Sequence, residues 1–118
     1  MKIFVIDDDE ATTTLLSKFF SYKGHEIIVT NDPMVALKKI RRECFDVILL
    51  DINMPVVSGF NIIGLLAGAD ILKEQNIFIF SGVTLPEIQL KNLLRRDGVN
   101  GFLKKPIDLD DLAMAITS

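Results

Sequence analysis

The feature that most constrains the fold is an alternation between short apolar runs and longer segments with helical periodicity. The apolar runs are rich in β-branched and aromatic residues, and they cover residues 2–6, 26–30, 46–50, 77–80 and 101–104. Several are apolar at consecutive positions, as expected of strands that helices cover on both faces. Because parallel crossovers are right-handed, five βα repeats predict an open, doubly wound parallel sheet of the α/β class.

Capping signals mark the starts of several predicted helices. A third helix is expected from about Ser58 to Ala69, and Asp108 can cap the last one. The stretch from Thr84 to Glu87 fits a capping box, which predicts a fourth helix with Ile88 and Leu93 facing inward. The spacing of Gly64 and Gly68 forms a GxxxG pattern, which in a chain of this kind indicates close helix packing rather than dimerisation.

Length and composition predict one globular domain over residues 1–118. The chain is 49% hydrophobic and 25% charged, which is typical of globular domains rather than disordered ones. No apolar run approaches eighteen residues and no signal-peptide pattern opens the chain, so we expect no membrane association. The formal net charge is −3 and most basic residues are scattered, so we expect no nucleic-acid binding by this domain alone.

The chain has one cysteine, Cys44, which excludes an intrachain disulfide. A single thiol suits a reducing compartment, and we therefore expect a cytoplasmic protein. Free cysteines are usually buried, so Cys44 is expected to pack at a helix end.

Four acidic residues, 7–10, follow directly on the first apolar run. Two negative charges about 4 Å apart repel by roughly 4 kcal/mol at an effective dielectric near 20, so the cluster needs a positive partner. Parallel strands all point the same way, and the residues that follow them meet at the sheet edge where α/β proteins bind ligands. The polar residues brought to this edge are Asp7, Asp8, Asp9, Asp51, Ser81 and Lys105.

Carboxylates gathered at one edge predict a site for a divalent cation. Mg²⁺ typically keeps several waters and uses one or two protein carboxylates together with a phosphate. Lys105 would add a further positive charge close to Asp51. A carboxylate can also be the nucleophile of phosphoryl transfer, forming an aspartyl phosphate, and that reaction needs mainly positioning and charge neutralisation.

Five motifs in order resemble the response regulator receiver domain of two-component signalling, in its single-domain, chemotaxis-regulator-like form. They are Asp7-Asp8, Asp51-Ile52-Asn53-Met54-Pro55, Ser58-Gly59-Phe60, Ser81-Gly82 and Lys105-Pro106. The resemblance extends from residue 2 to about residue 116. It implies a flavodoxin-like fold with strand order 2-1-3-4-5, helices on both faces of the sheet, and a Lys105-Pro106 bond that is often cis in the family.

The resemblance also implies a role for each residue at the sheet edge. Asp51 would be the phosphoacceptor, while Lys105 and Ser81 would contact the phosphoryl group. The ligands of Mg²⁺ would be Asp7, Asp8, Asp51 and the main-chain carbonyl of Asn53.

Phe102 would be the aromatic ring of the switch, at a position where the family often has tyrosine. Inward movement of Ser81 would leave space for this ring and reshape the surface of the fourth helix, fifth strand and fifth helix. Because phenylalanine has no hydroxyl, we expect it to signal by shape and apolar contact.

By the same resemblance the chain would not be an enzyme beyond self-phosphorylation and self-dephosphorylation. A histidine kinase or histidine phosphotransfer protein would supply the phosphoryl group, and a downstream target or linked output domain would respond. The alternative is a small aspartyl-phosphate phosphohydrolase, which would need a cap domain and a second carboxylate where Asn53 stands. A flavin-binding module is a further alternative, although residues 7–10 would repel the flavin phosphate.

Overall fold

Five β-strands and five α-helices alternate along the chain in a computed structural model, which describes residues 1–55 and 57–117. The strands are β1 (Lys2–Ile6), β2 (Glu26–Thr30), β3 (Val47–Leu50), β4 (Ile77–Ser81) and β5 (Val99–Lys104). The helices are α1 (Glu10–Tyr22), α2 (Pro33–Arg42), α3 (Gly59–Gly68), α4 (Glu87–Leu94) and α5 (Leu109–Thr117). A short 3₁₀ turn, Leu72–Glu74, lies between α3 and β4.

All five strands join one parallel sheet in the order β2-β1-β3-β4-β5. Ile6 at the end of β1 pairs with Thr30 of β2 and Leu50 of β3, and Ser81 of β4 pairs with Lys104 of β5. The carboxyl ends of the strands therefore share one edge of the sheet. This arrangement confirms the predicted doubly wound α/β fold and the flavodoxin-like strand order.

Helices cover both faces of the sheet, and each face carries its own hydrophobic cluster. One cluster joins α2, α3 and α4 to the sheet and includes Phe4, Ile6, Ile48, Leu50, Leu66 and Leu93. The other joins α1 and α5 to the opposite face and includes Ile3, Val5, Leu16, Phe20, Leu112 and Ile116. Each large apolar side chain contributes about 1.5–3 kcal/mol when it is fully buried, so the two clusters hold the strand ends in fixed positions.

Two of the predicted helix starts are confirmed. The hydroxyl of Ser58 accepts from the main-chain N–H of Asn61 at 3.3 Å and opens α3. The Asp108 carboxylate accepts from the main-chain N–H groups of Asp110 and Asp111 at 2.9 and 3.1 Å and opens α5. Both caps satisfy N–H groups that the helix itself cannot pair.

The capping box predicted at the fourth helix is wrong. The N-cap of α4 is Pro86, and this position makes no side-chain cap bond within the described part of the chain. The Thr84 hydroxyl instead accepts from Nζ of Lys104 at 2.5 Å, which ties the segment before α4 to β5. Leu93 is buried as expected, but Ile88 is 65% exposed because the helix turns that side to solvent.

Two smaller expectations are also wrong. Cys44 is exposed, because it lies beyond the last turn of α2 in an extended segment that leads to β3. Gly64 and Gly68 do not serve close packing, since a Cβ at either position would meet no described atom within 4 Å. Across residues 1–55 and 57–117, no helix combines the length and apolar character needed to cross a membrane.

Candidate functional site

Three carboxylates converge at the carboxyl edge of the sheet. Asp7 follows β1 and Asp51 follows β3, and the main-chain N–H of Asp51 donates to the carbonyl of Ile6 at 2.9 Å. One carboxylate oxygen from each of Asp7, Asp8 and Asp51 lies within 4.8 Å of the others. Asp7 and Asp51 are 1% and 6% exposed, whereas Asp8 is open to solvent. The site is therefore a cluster of two buried carboxylates and one that is accessible to solvent.

Lys105 brings positive charge to this cluster from the end of β5. Its Nζ lies 2.5 Å from Oδ2 of Asp7 and 3.6 Å from Oδ2 of Asp51. The main-chain N–H of Lys105 donates to the carbonyl of Ser81 at 2.8 Å, and the bond from Lys105 to Pro106 is cis. The ammonium group also lies 5.0 Å from the ring centroid of Phe80, so both the backbone and the side chain of Lys105 are positioned.

Burial raises the pKa of Asp7 above the usual range of an aspartate. The hydrogen bond from Lys105 and the one from the main-chain N–H of Asp9 act in the opposite direction, and the charge of Asp51 adds to the increase. Removing a carboxylate from water disfavours its charged form, and here one lysine does not fully offset that cost. A further positive charge at this cluster would therefore favour the charged form of Asp7.

Asp51 presents its two oxygens to different neighbours. Oδ1 accepts from the main-chain N–H of Asn53 at 2.9 Å, and Oδ2 faces Lys105. The Asn53 residue is exposed, and it lies in the loop that leads from β3 towards α3. Among residues 1–55 and 57–117, no main-chain N–H donates to Oδ2.

The remaining acids of the opening run have a structural role. Asp9 is the N-cap of α1, and its carboxylate accepts from the main-chain N–H of Ala11 at 3.2 Å and from the Thr12 hydroxyl at 2.7 Å. The hydrogen bond from Thr12 is the main reason why the pKa of Asp9 is lowered. Glu10 occupies the first turn of the helix, where negative charge is favoured by the helix dipole.

Ser81 and Phe102 lie on the same side of the sheet. Ser81 is 0% exposed, and its hydroxyl accepts from the main-chain N–H of Val83 at 3.3 Å. Phe102 pairs with Ile79 in the β4–β5 ladder and is half-buried against the cluster formed with α2, α3 and α4. Side chains of a strand alternate between faces, so Ser81 shares the face of Ile79 two residues before it.

Sequence reasoning missed one residue at this edge, Asn31. Its side-chain amide donates to the main-chain carbonyl of Asp7 at 2.8 Å and to the hydroxyl of Thr13 at 3.0 Å. None of the motifs includes it. The available signal was its place directly after β2, at the same edge of the sheet as the acids.

The donor set fits a small, hard divalent cation. Carboxylate oxygens are the ligands that Mg²⁺ prefers, and the exposed Asp8 gives such an ion access. A bound cation would also favour the charged form of Asp7, which burial disfavours.

The comparisons with known proteins agree with this geometry. The family model described as the response regulator receiver domain matches residues 3–117. The chain is 30% identical over 112 residues to the CAI-1 autoinducer sensor kinase/phosphatase CqsS of Vibrio cholerae, covering 94% of this chain and 16% of that protein. Across three curated relatives, the chain spans between 9% and 53% of the relative's length.

Solved structures extend the similarity to three dimensions. The chemotaxis protein CheY4 of Vibrio cholerae superposes with a TM-score of 0.83 at 28% identity, covering 98% of this chain and 94% of that one. The response regulator TrrA of Thermotoga maritima, solved in complex with Mg(2+)-BeF, gives a TM-score of 0.81 at 26% identity, covering 98% and 96%. The family match over nearly the whole chain, together with the shared fold, shows that this chain belongs to the response regulator receiver domain family.

Proposed function

We propose that Asp51 is the phosphoacceptor of this chain and that residues 1–118 form a single receiver domain. As a member of its family, the chain is a phosphorylation-dependent signalling switch rather than a classical enzyme. The observation that carries the assignment of Asp51 is its position, 6% exposed, in one cluster with Asp7 and Asp8 and 3.6 Å from the ammonium group of Lys105.

The proposed reaction begins with attack by a carboxylate oxygen of Asp51 on the phosphorus of a phosphohistidine. An O–P bond forms as the N–P bond breaks, and the histidine nitrogen leaves with the electron pair and is then protonated. Because Oδ1 accepts from the main-chain N–H of Asn53, Oδ2 is the oxygen positioned to attack. Lys105, which faces Oδ2, can neutralise charge that develops on the phosphoryl oxygens.

We further propose that Mg²⁺ binds at this carboxylate cluster. Its ligands would be Asp7, Asp8, Asp51 and the main-chain carbonyl of Asn53, and when bound it supplies charge neutralisation at the phosphoryl oxygens. The complex of the relative TrrA with Mg(2+)-BeF supports this choice of ion.

The switch would couple phosphorylation of Asp51 to the surface formed by α4, β5 and α5. A phosphoryl group adds about −1.5 to −2 charge units, which attract the hydroxyl of Ser81 and the ammonium of Lys105. A hydrogen bond to a charged group is worth about 1.5–3 kcal/mol, and gaining it in one conformation alone shifts the population roughly ten- to a hundredfold. Movement of Ser81 would let Phe102 turn inward and reshape the surface of α4, β5 and α5.

The proposed partners are those of a two-component pathway. A histidine kinase or histidine phosphotransfer protein would supply the phosphoryl group, and a downstream protein or linked output domain would read the surface of α4, β5 and α5. The similarity to a sensor kinase over 94% of this chain supports a partner of that class. A reducing cytoplasm is the proposed setting, which the free thiol of Cys44 fits.

The test is incubation with Mg²⁺ and acetyl phosphate followed by intact-mass spectrometry. We expect one added phosphoryl group in the wild type and none in Asp51→Asn. Asp46→Asn is the matched control, because Asp46 lies at the opposite end of β3, where its carboxylate accepts from the main-chain N–H of Lys2 at 2.6 Å.

Labelling that persists in Asp51→Asn would contradict the assignment. Steady release of phosphate from an unrelated phosphate ester would instead favour the small phosphohydrolase.

A further inference from the structure

Asn31 links three segments around the acidic cluster. Its amide Nδ2 donates to the main-chain carbonyl of Asp7 at 2.8 Å and to Oγ1 of Thr13 at 3.0 Å. Thr13 is 2% exposed, and its hydroxyl donates to the carbonyl of Glu10 at 3.1 Å. A side chain that follows β2 is thus anchored on α1 and fixes the residue that follows β1.

The bond to Asp7 fills a gap in the β1–β2 ladder. The main-chain N–H of Asp7 donates to the carbonyl of Thr30 at 3.2 Å, and a regular parallel ladder would next direct the N–H of Asp32 to the carbonyl of Asp7. That N–H donates instead to the Thr30 hydroxyl at 3.1 Å. Within the described part of the chain, the Asn31 amide is therefore the donor that pairs the Asp7 carbonyl, and buried carbonyls are rarely left unpaired.

Each of the three oxygens of Asp7 accepts from a different residue. Oδ1 accepts from the main-chain N–H of Asp9 at 2.9 Å, Oδ2 from Lys105, and the main-chain oxygen from Asn31. Of these donors, Asn31 is the one that holds Asp7 without touching its carboxylate. It also carries no charge, so it does not compete with a cation for the carboxylate oxygens.

We propose that Asn31 is a positioning residue of the cation site: by holding the backbone of Asp7, it keeps the Asp7 carboxylate aimed at the cluster with Asp8 and Asp51. This inference rests on the proposed function, in which that cluster binds Mg²⁺. Residues that orient metal ligands commonly change metal affinity by about 10- to 100-fold when they are replaced.

The test compares Asn31→Leu with Asn76→Leu. Asn76 makes the same kind of bond at the opposite edge of the sheet, where its amide donates to the main-chain carbonyl of Asp46 at 3.0 Å. Isothermal titration calorimetry with MgCl₂ gives the dissociation constant, and thermal unfolding without Mg²⁺ gives the stability. We expect about tenfold weaker Mg²⁺ binding in Asn31→Leu, less than about twofold change in Asn76→Leu, and similar losses of thermal stability in both.

A second variant keeps the proposal testable if Asn31→Leu does not fold. Thr13→Val removes the anchor of the Asn31 amide with little change in volume, and we expect about threefold weaker Mg²⁺ binding. Unchanged Mg²⁺ affinity in Asn31→Leu or Thr13→Val would overturn the inference. An equal loss of Mg²⁺ affinity in Asn76→Leu would overturn it too, because the affinity would then depend only on the stability of the fold. A wild type that binds no Mg²⁺ would contradict the proposed function itself.

Discussion

The ammonium nitrogen of Lys105 lies 2.5 Å from Oδ2 of Asp7, although the two residues are 98 positions apart in the sequence. The same nitrogen is 3.6 Å from Oδ2 of Asp51. The lysine side chain is 23% exposed, while the two carboxylates are nearly buried. One ammonium group is therefore the shared positive partner of two carboxylates that have lost most of their hydration.

Replacing this lysine should destabilise the metal-free protein. In Lys105→Met the two carboxylates lose their common cation, and we expect the free energy of unfolding to fall by about 1–3 kcal/mol, less than for a fully buried pair because Lys105 is partly hydrated. Urea unfolding in the presence of EDTA measures this change.

The neighbouring lysine provides the control for that measurement. Nζ of Lys104 donates to the Thr84 hydroxyl at the surface, so Lys104→Met should cost about 1 kcal/mol or less. Equal stabilities of the two variants would show that Lys105 does not stabilise the carboxylates.

The raised pKa of Asp7 predicts a pH dependence with a definite sign. Because burial raises this pKa in the folded state, the folded protein keeps a proton on Asp7 at pH values where the unfolded chain, with a pKa of about 3.9, has lost it. The contribution of Asp7 to stability therefore declines as the pH rises from the pKa of Asp7 in the unfolded chain through its higher pKa in the folded protein. Asp7→Asn removes this decline, and the stability of the metal-free variant relative to the wild type should therefore increase as the pH rises towards neutral.

Urea unfolding between acidic and neutral pH, without Mg²⁺, checks this prediction. Hydrogen bonds from Thr12 and Lys39 lower the pKa values of Asp9 and Glu43, and these two groups add stability as the pH rises. Wild type and Asp7→Asn both contain Asp9 and Glu43, so the difference between their curves of stability against pH isolates the contribution of Asp7. Parallel curves for wild type and Asp7→Asn would contradict the prediction.

Gly59 is the first residue of α3 and lies against the backbone that follows Asp51. A Cβ on Gly59 would lie 2.6 Å from the Cα of Ile52 and 2.7 Å from the carbonyl oxygen of Asp51. Gly59→Ala must therefore displace either the helix or the loop that carries Asp51. We expect it to lower the free energy of unfolding by about 1–3 kcal/mol and to slow labelling by acetyl phosphate.

The same helix offers the matched control. A Cβ on Gly64 would meet no described atom within 4 Å, so Gly64→Ala should raise stability by about 0.5–1 kcal/mol through helix propensity and leave labelling unchanged. The two variants can be compared by urea unfolding and by the rate of mass increase. A Gly59→Ala protein that is as stable and as readily labelled as Gly64→Ala would contradict the prediction.

The sheet and its functional edge could be predicted from the sequence because each depends on local patterns. Apolar runs define the strands, and a parallel sheet brings the residues after β1 and β3 to one edge. The partner of Lys105 could not be predicted in the same way. The sequence predicts that its charge lies close to Asp51, but the ammonium is nearer to Asp7. Side-chain conformations at the ends of three strands determine which carboxylate is nearer.

Other errors have the same physical origin. Thr84 matches a capping pattern with the residues that follow it, yet its hydroxyl is taken by Lys104 twenty residues away. Asn31 matches no motif, and its role depends on where the β1–β2 ladder lacks a donor. Contacts between distant segments decide both cases, and a local pattern carries no information about them.

Phe102 provides the last prediction, which concerns how the switch is read. Its ring is half-buried, shares a face of the sheet with Ser81 and packs against the apolar cluster formed with α2, α3 and α4. Phe102→Tyr should therefore be labelled by acetyl phosphate within about twofold of the wild-type rate and keep the response of α4, β5 and α5. Phe102→Ala should be labelled as well, but with a reduced response, because the ring that fills the space near Ser81 is absent. NMR chemical shifts of the main-chain amides before and after phosphorylation measure the response, and Asp51→Asn is the unresponsive control. Loss of the response in Phe102→Tyr would show that the switch does not report by shape and apolar contact.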